Sequence, residues 1–194
     1  MGRPREFDMD QALNAAMTAF WTHGYEATSM ADLMKVMNLQ KGSIYKAFHD
    51  KHDLYMQALN RYLDNGLKTM KQGIGKATSP KEGIRFWLKE MIFGLCHRQD
   101  KQRGCLALNS IVELGPHDQA VKERIQQQHG RMAELLTRTI EKGQALGEFR
   151  QDKPAAHLAE ALTAFTMGIM ALSKGFSDEE ATNRLTDFAL ESLS

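Results

Sequence analysis

Valine is scarce: the 194-residue chain holds three, Val36, Val112 and Val121, against 21 leucines and 21 alanines. β-branched side chains are what strands need on their pleated faces, whereas leucine and alanine favour helices. An all-α protein is therefore expected. Two cysteines, Cys96 and Cys105, are too few for a secreted disulfide scaffold and point to a reducing, cytoplasmic compartment. The N-terminus carries basic residues with no apolar stretch behind them, and the chain reads as having no 18-residue apolar run, so neither secretion nor a membrane partner is expected. Four prolines, at positions 4, 80, 116 and 154, all sit beside polar or glycine-containing breaks, where they can start a helix without breaking its interior. Charge of one sign is also missing, since 25 Lys+Arg face 24 Asp+Glu. A uniformly basic nucleic-acid binder is excluded.

Enzymatic signatures are equally thin. Gly73-Ile74-Gly75-Lys76 has the look of a phosphate loop, but Met70 stands at the required first glycine, Ala77 at the Ser/Thr position, and no strand precedes it. The seven histidines are scattered, with no His-Glu-x-x-His pair and no Cys/His cluster at zinc spacing. No catalytic residue, metal or cofactor is expected.

What is present is a series of helix starts. Asp8 with Gln11 makes a capping-box pattern ahead of Leu13, Ala16, Met17 and Phe20 at i, i+3, i+4, i+7. Ser29 with Asp32 caps a second short helix, and a turn at 38–40 leads to a third from Lys41 to Phe48. Asp50 caps a long fourth helix running to the glycines at 73 and 75, which makes 71–79 the best candidate for a flexible joint. Ser79-Pro80-Lys81-Glu82 opens a fifth, a sixth spans about Cys105 to Leu114, and Asp118 caps a seventh closed by Gly147. Asp152 opens an eighth ending at Gly175, and Ser177 with Glu180 caps a ninth. The expectation is nine helices: a three-helix N-terminal unit over 1–52 and a larger helical domain over 53–194.

The helix, turn and helix between Ser29 and Phe48 has the spacing of a DNA-reading unit, whose second helix enters the major groove. Residues 1–51 carry six Lys/Arg against six acids, so their net charge gives no support. The local signal is Lys41–Lys51, with three lysines against one acid and Ser43, Tyr45 and His49 interleaved as donors. On charge alone, a solvated lysine face is an equal alternative.

Two runs decide between them. Gly24-Tyr25-Glu26-Ala27-Thr28-Ser29-Met30-Ala31-Asp32-Leu33 and Lys41-Gly42-Ser43-Ile44-Tyr45-Lys46-Ala47-Phe48-His49-Asp50-Lys51 closely resemble the helix-turn-helix domain of tetracycline-repressor-type (TetR family) regulators. The resemblance implies a nine-helix homodimer acting on double-stranded operator DNA. It implies phosphate contacts from Thr28, Tyr45 and Lys51, and base-facing positions at Lys41, Gly42, Ser43 and Lys46. Where the family often has a histidine just before the phenylalanine, this chain has Ala47, so that contact is lost or passes to His49.

The eighth helix carries a large apolar stripe (Leu158, Leu162, Phe165, Ile169, Leu172) beside a stripe of small residues (Ala161, Ala164, Gly168, Ala171). One can serve the core and the other a partner helix at close range. With Phe188 on helix 9 these residues make the expected dimer interface through helices 8 and 9. Trp87, Met91, Phe93 and Leu95, with Met132, Phe165 and Met170, are expected to line an apolar effector pocket. Cys105 follows Arg103-Gly104 at a helix start, downstream of His97, Arg98 and Lys101, an arrangement that favours a thiolate. The stretch Gly104-Cys105-Leu106-Ala107-Leu108-Asn109 with Glu113 also resembles a TetR branch that includes electrophile sensors, so Cys105, with Cys96 as its resolving thiol, is the redox-sensor candidate. The reading is a repressor released by a small apolar ligand or by thiol modification. The alternative is a helical small-molecule-binding or interaction protein that reads no DNA.

Overall fold

A computed structural model describes residues 7–96, 103–172 and 179–194, with the side chains of 92–96, Glu179 and Thr182 left aside. The described residues form nine helices and no strand: α1 (Met9–His23), α2 (Met30–Met37), α3 (Lys41–Phe48), α4 (Lys51–Lys76), α5 (Pro80–Cys96), α6 (Leu106–Glu113), α7 (Gln119–Ala145), α8 (Ala155–Leu172) and α9 (Glu179–Glu191).

Caps explain most of the starts. Asp8 accepts from the N–H of Asp10 and Gln11, and Asp50 and Asp118 accept from Asp53 and Val121. Ser29 and Asp32 close a complete capping box on α2, and its hydrogen bonds, from the Ser29 hydroxyl and then its N–H, hold the Asp32 carboxyl below its usual range. Ser79 Oγ accepts from the Glu82 N–H at 3.3 Å ahead of Pro80.

Two expectations about breaks and one about apolar runs are corrected. The glycines at 73 and 75 do not end α4, which continues to Lys76 and leaves only 77–79 as a connection. At Gly73 the missing side chain makes room for a neighbour, because a Cβ there would lie 1.9 Å from the Phe86 ring of α5. Asp152 does not cap α8, which begins at Ala155 behind Pro154; its carboxylate pairs with the Arg150 guanidinium instead, Oδ1 on Nε at 2.5 Å and Oδ2 on Nη2 at 2.6 Å. Ala155–Leu172 is also long and apolar enough, by length and composition, to cross a membrane, contrary to the expectation of no such run. In the fold it is α8, laid against α7 and α5. Gly175 and Ser177 lie outside the described residues.

Two apolar clusters organise the packing. One joins α1, α2 and α3 through Phe20, Leu33, Ile44 and Phe48 to Leu54, Tyr55 and Leu59 on the first half of α4, and extends to Leu106, Leu114 and Val121. The other gathers Met70, Trp87, Leu136, Ile140, Leu162 and Leu190 from α4, α5, α7, α8 and α9. The single helix α4 runs through both, so a displacement in one is felt by the other.

Close packing yields a test. A Cβ on Gly143 would sit 2.1 Å from the ring of Phe149, which is buried, whereas Phe86 opposite Gly73 is 38% exposed and able to swing away. Gly143→Ala is expected to destabilise the fold by about 1–3 kcal/mol in urea unfolding through overpacking. Gly73→Ala should cost less, because the half-exposed Phe86 ring can move aside, while the helix-propensity return of up to about 1 kcal/mol applies at both positions.

Candidate nucleic-acid interface and effector cavity

The short α3 presents its polar face outward. Lys41, Gly42, Tyr45 and Lys46 are exposed and Ser43 half-buried, while Ile44 and Phe48 anchor the helix in the core. Lys41 Nζ lies 5.6 Å from the Tyr45 ring, and Lys51 Nζ lies 4.3 Å from the Tyr25 ring, which fixes the direction of both ammonium groups. The helix ends on a tight turn: His49 has φ +58°, ψ −61°, and the Asp50 N–H bonds back to Phe48 O. That is the strained form of the γ-turn, held in a histidine rather than a glycine. Its exposed ring places Nδ1 3.2 Å from Asp53 Oδ2.

Gly42 is informative because no internal contact or backbone angle requires a glycine there. A Cβ there would meet nothing within 4 Å, and its φ is not the left-handed kind that favours glycine. Thr28 departs from the expected phosphate contact: it is 1% exposed and its hydroxyl donates to Gly24 O at 2.6 Å, so its side chain locks the turn before α2 instead of facing solvent.

That turn is gripped from α6. The Glu113 carboxylate, at the last residue of α6, accepts from two consecutive backbone N–H groups, Tyr25 at 3.1 Å on Oε2 and Glu26 at 2.9 Å on Oε1. Gly24, with φ +87°, lets it approach, since a Cβ there would stand 3.0 Å from both oxygens. Three further contacts brace the same seam. Trp21 Nε1 donates to Gly104 O at 2.9 Å. Tyr55 Oη donates to Ser110 Oγ at 2.6 Å, and burial pushes the Tyr55 phenol up to about 12, so it stays a donor. His52 Nε2 lies 2.7 Å from Asp118 Oδ2. Burial opposes the Asp118 charge, but the Val121 N–H and the His52 ring outweigh it and hold that carboxyl below its usual range.

The opposite face of α6 borders a cavity of about 360 Å³. Ala107, Leu108 and Ile111 form that side, and α5, α7 and α8 supply Trp87, Met91, Met132 and Met170. Phe165 does not line it; its ring packs on Phe188 with centroids 5.8 Å apart. The side chains of Phe93, Leu95 and Cys96 lie outside the described residues. Cys105, the N-cap of α6, is buried at 7% exposure and belongs to the cavity wall, with Tyr62 Oη 3.5 Å from its Sγ. His97, Arg98 and Lys101, the expected sources of positive potential, are outside the described residues. Sequence reasoning missed that Met17 and Trp21 of α1, with Tyr62 and Gly66 of α4, complete the wall. The available signal was Trp21, a large aromatic one step off the α1 apolar stripe.

On the outward face of α8, Ala161, Ala164, Gly168 and Ala171 are exposed, and Phe188 of α9 is 60% exposed. Leu172 belongs with them, at 60% exposed, and not with the buried stripe of Leu158, Leu162 and Ile169.

Three comparisons bear on this arrangement. Residues 12–58 match the family described as "Bacterial regulatory proteins, tetR family", and residues 88–189 match "Tetracyclin repressor-like, C-terminal domain". The chain is 31% identical over 169 residues to the HTH-type transcriptional repressor ComR of Escherichia coli K12, covering 87% of this chain and 80% of that one. It is 27% identical over the full length of both chains to the uncharacterized HTH-type transcriptional regulator YezE of Bacillus subtilis. Its fold matches a cysteine-substituted form of the TetR-family regulator CifR, complexed with a 26-base-pair operator duplex, at TM-score 0.87, 28% identity and complete coverage of both chains. By its family models and these relatives this is a helix-turn-helix transcriptional regulator, of a non-enzymatic family. The chain belongs to the TetR family of DNA-binding regulators.

The Glu113 grip is testable on its own. Glu113→Ala removes the acceptor for two N–H groups, one of them partly buried, and should lower stability by about 1–3 kcal/mol in urea unfolding. Glu113→Gln, which keeps one acceptor oxygen, should lose less than Glu113→Ala; equal stability of all three proteins would show that the contact carries no energy.

Proposed function

We propose that this regulator is a homodimeric repressor that leaves a roughly palindromic operator when a small apolar molecule, or an electrophile that modifies Cys105, occupies the cavity. The observation that carries the reading is the two-sided role of α6, which walls the cavity with Ala107, Leu108 and Ile111 and holds the DNA-reading unit through Glu113. An occupant that displaces α6 must move or release the turn ahead of α2. In population terms, it favours a reader spacing that fits DNA less well. Because Cys105 is buried in the cavity wall, ligand and thiol forms of the signal share one site.

In this reading residues 1–52 bind DNA and 53–194 sense and dimerise. Lys41, Gly42, Ser43 and Lys46 face bases, Tyr45 and Lys51 hold phosphates, and His49 stands at the end of the recognition helix. Gly42 supports this assignment, since a glycine that no internal contact requires, in an exposed helix that it weakens, fits a place where another backbone comes close. The operator complex of CifR supports the same docking. The exposed α8 and α9 residues Ala161, Ala164, Gly168, Ala171 and Phe188 form the dimer face, which sets the two readers about 34–36 Å apart for successive major grooves.

Two experiments test these assignments. In fluorescence anisotropy with duplexes from the DNA flanking the coding region, Tyr45→Ala and Lys51→Ala should weaken binding to all sequences alike, while Lys46→Ala should flatten preference among operator variants. Gly42→Ala should raise thermal stability by up to about 1 kcal/mol and weaken operator binding; a variant that gained stability at unchanged affinity would remove Gly42 from the interface.

For assembly, analytical ultracentrifugation should show a dimer that Gly168→Glu dissociates, with a matching loss of operator affinity because two linked half-sites bind better than one. A monomeric wild-type protein at micromolar concentration would refute the interface.

A further inference from the structure

The short helix α3 ends on a residue that costs the fold energy. Two non-glycine residues have positive φ among the described residues. Asn38, at φ 52° and ψ 45°, occupies the ordinary left-handed well that asparagine tolerates at the end of a helix. His49, at φ 58° and ψ −61°, lies outside that well in the rare form of the γ-turn. An achiral glycine adopts that form as easily as its common mirror image, so a histidine there is held against backbone preference. Such strain collects where a side chain is needed for function.

Burial does not offset the cost, since the His49 side chain is 85% exposed. The ring is nonetheless held, with Nδ1 3.2 Å from Asp53 Oδ2. Asp53 is fixed in turn, because Gln57 Nε2 donates to the same oxygen at 3.1 Å and the Asp53 N–H donates to the Asp50 cap at 2.7 Å. An ionised carboxylate only accepts, so the shared proton sits on Nδ1 and leaves Nε2 without a partner among the described residues. In a neutral ring that Nε2 is a lone pair, which repels a phosphate oxygen; in an imidazolium it is an N–H, which a phosphate accepts. The other charged groups of this junction are Lys46 on α3, Asp50 as the α4 cap, Lys51 over the Tyr25 ring and His52 on Asp118. Along the chain, His49 stands between Tyr45, whose carbonyl accepts its N–H at 3.0 Å, and Lys51. Those two are the residues read above as phosphate contacts.

On the reading of α3 as the DNA-contacting helix, we propose that His49, oriented by Asp53, is a protonation-dependent contact to an operator phosphate. Asp53 is a positioning residue that sets the ring without touching DNA. Binding that needs the imidazolium takes up a proton, so it strengthens as pH falls through the range in which histidines change charge, about pH 5–8. A backbone contact adds affinity for every duplex and no base preference.

Fluorescence anisotropy with duplexes from the DNA flanking the coding region, read from about pH 6 to about pH 8, tests this. His49→Gly relieves the turn, so its urea midpoint should rise, while its affinity at the acid end should fall about tenfold, the scale of one hydrogen bond to a charged group. The gap from the wild type should narrow toward the alkaline end, and the variant's dependence on salt should be shallower. Asp53→Asn removes an acid near the DNA, which by charge alone tightens binding. As a loss of positioning it should weaken binding when His49 is present and tighten it, or leave it unchanged, in the His49→Gly background. Unchanged affinity in His49→Gly, a gap from the wild type that ignores pH, a flattened preference among operator variants, or tighter binding by Asp53→Asn in both backgrounds would each overturn the proposal. The DNA reading itself survives those outcomes if Tyr45→Ala still weakens binding; a wild-type protein that binds none of the duplexes ends both.

Discussion

Two backbone N–H groups on one carboxylate tie the two halves of this protein together. Tyr25 and Glu26 donate to Glu113, and the geometry works only because Gly24 sits at φ +87° with no side chain between the turn and the carboxylate. Tertiary contacts usually spread their energy over many methyl groups; here much of the coupling at the turn is concentrated in a charged acceptor. Hydrogen bonds to a charged group contribute about 1.5–3 kcal/mol each in favourable cases, less at an exposed donor such as the Glu26 N–H. Allosteric coupling energies typically run about 1–3 kcal/mol, so loosening one of these two bonds is already on the scale that a regulator needs. No large rearrangement has to be invoked.

The short length of α6 matters to that argument. At eight residues it is below the length at which an isolated helix is stable, so its position is set by what it touches. On one side Leu106 enters the core with Phe20 and Tyr55, and Ser110 accepts from Tyr55. On the other side its wall residues meet the cavity. A helix held by packing rather than by its own propensity shifts as a unit when one side is refilled. The N–H of Trp21 on Gly104 O and the His52–Asp118 pair hold the chain on either side of it.

How much of this the sequence disclosed follows from the range of the forces involved. Caps are local, and Asp8, Ser29, Asp50, Ser79 and Asp118 each mark a helix start that the structure contains. The apolar stripes of α1, α4 and α7 follow from periodicity for the same reason. The failures depend on a competing partner, near or far in sequence, that a capping pattern or a helix-breaking glycine does not reveal. Gly73 looked like a break but makes space for Phe86, and Asp152 looked like a cap but is taken by Arg150. Thr28 matched a phosphate-binding position, yet the carbonyl of Gly24 claims its hydroxyl. The membership of the cavity was half legible, because the methionines on α5, α7 and α8 follow helical spacing, whereas Met17 and Trp21 arrive from α1, far away in sequence. Glu113 was noticed as part of a stretch; its role as a clamp needed the turn of α1 and α2 to be in place.

Under the proposed function, those last two wall residues change how an occupant of the cavity would act. Met17 and Trp21 belong to α1, which packs directly on α2, so an occupant of the cavity touches the DNA-reading unit itself as well as α6. Two routes therefore lead from the cavity to α3, one through the wall of α1 and one through Glu113, and both converge on the turn around Gly24. The same enclosure bears on Cys105. A thiol at 7% exposure, beside the Tyr62 hydroxyl and inside an apolar wall, meets a reagent only after that reagent has partitioned into the cavity. Size and polarity select first and covalent chemistry comes second. A charged oxidant is disfavoured at the first step whatever its reactivity, so a covalent signal here obeys the same selection rules as a reversible ligand.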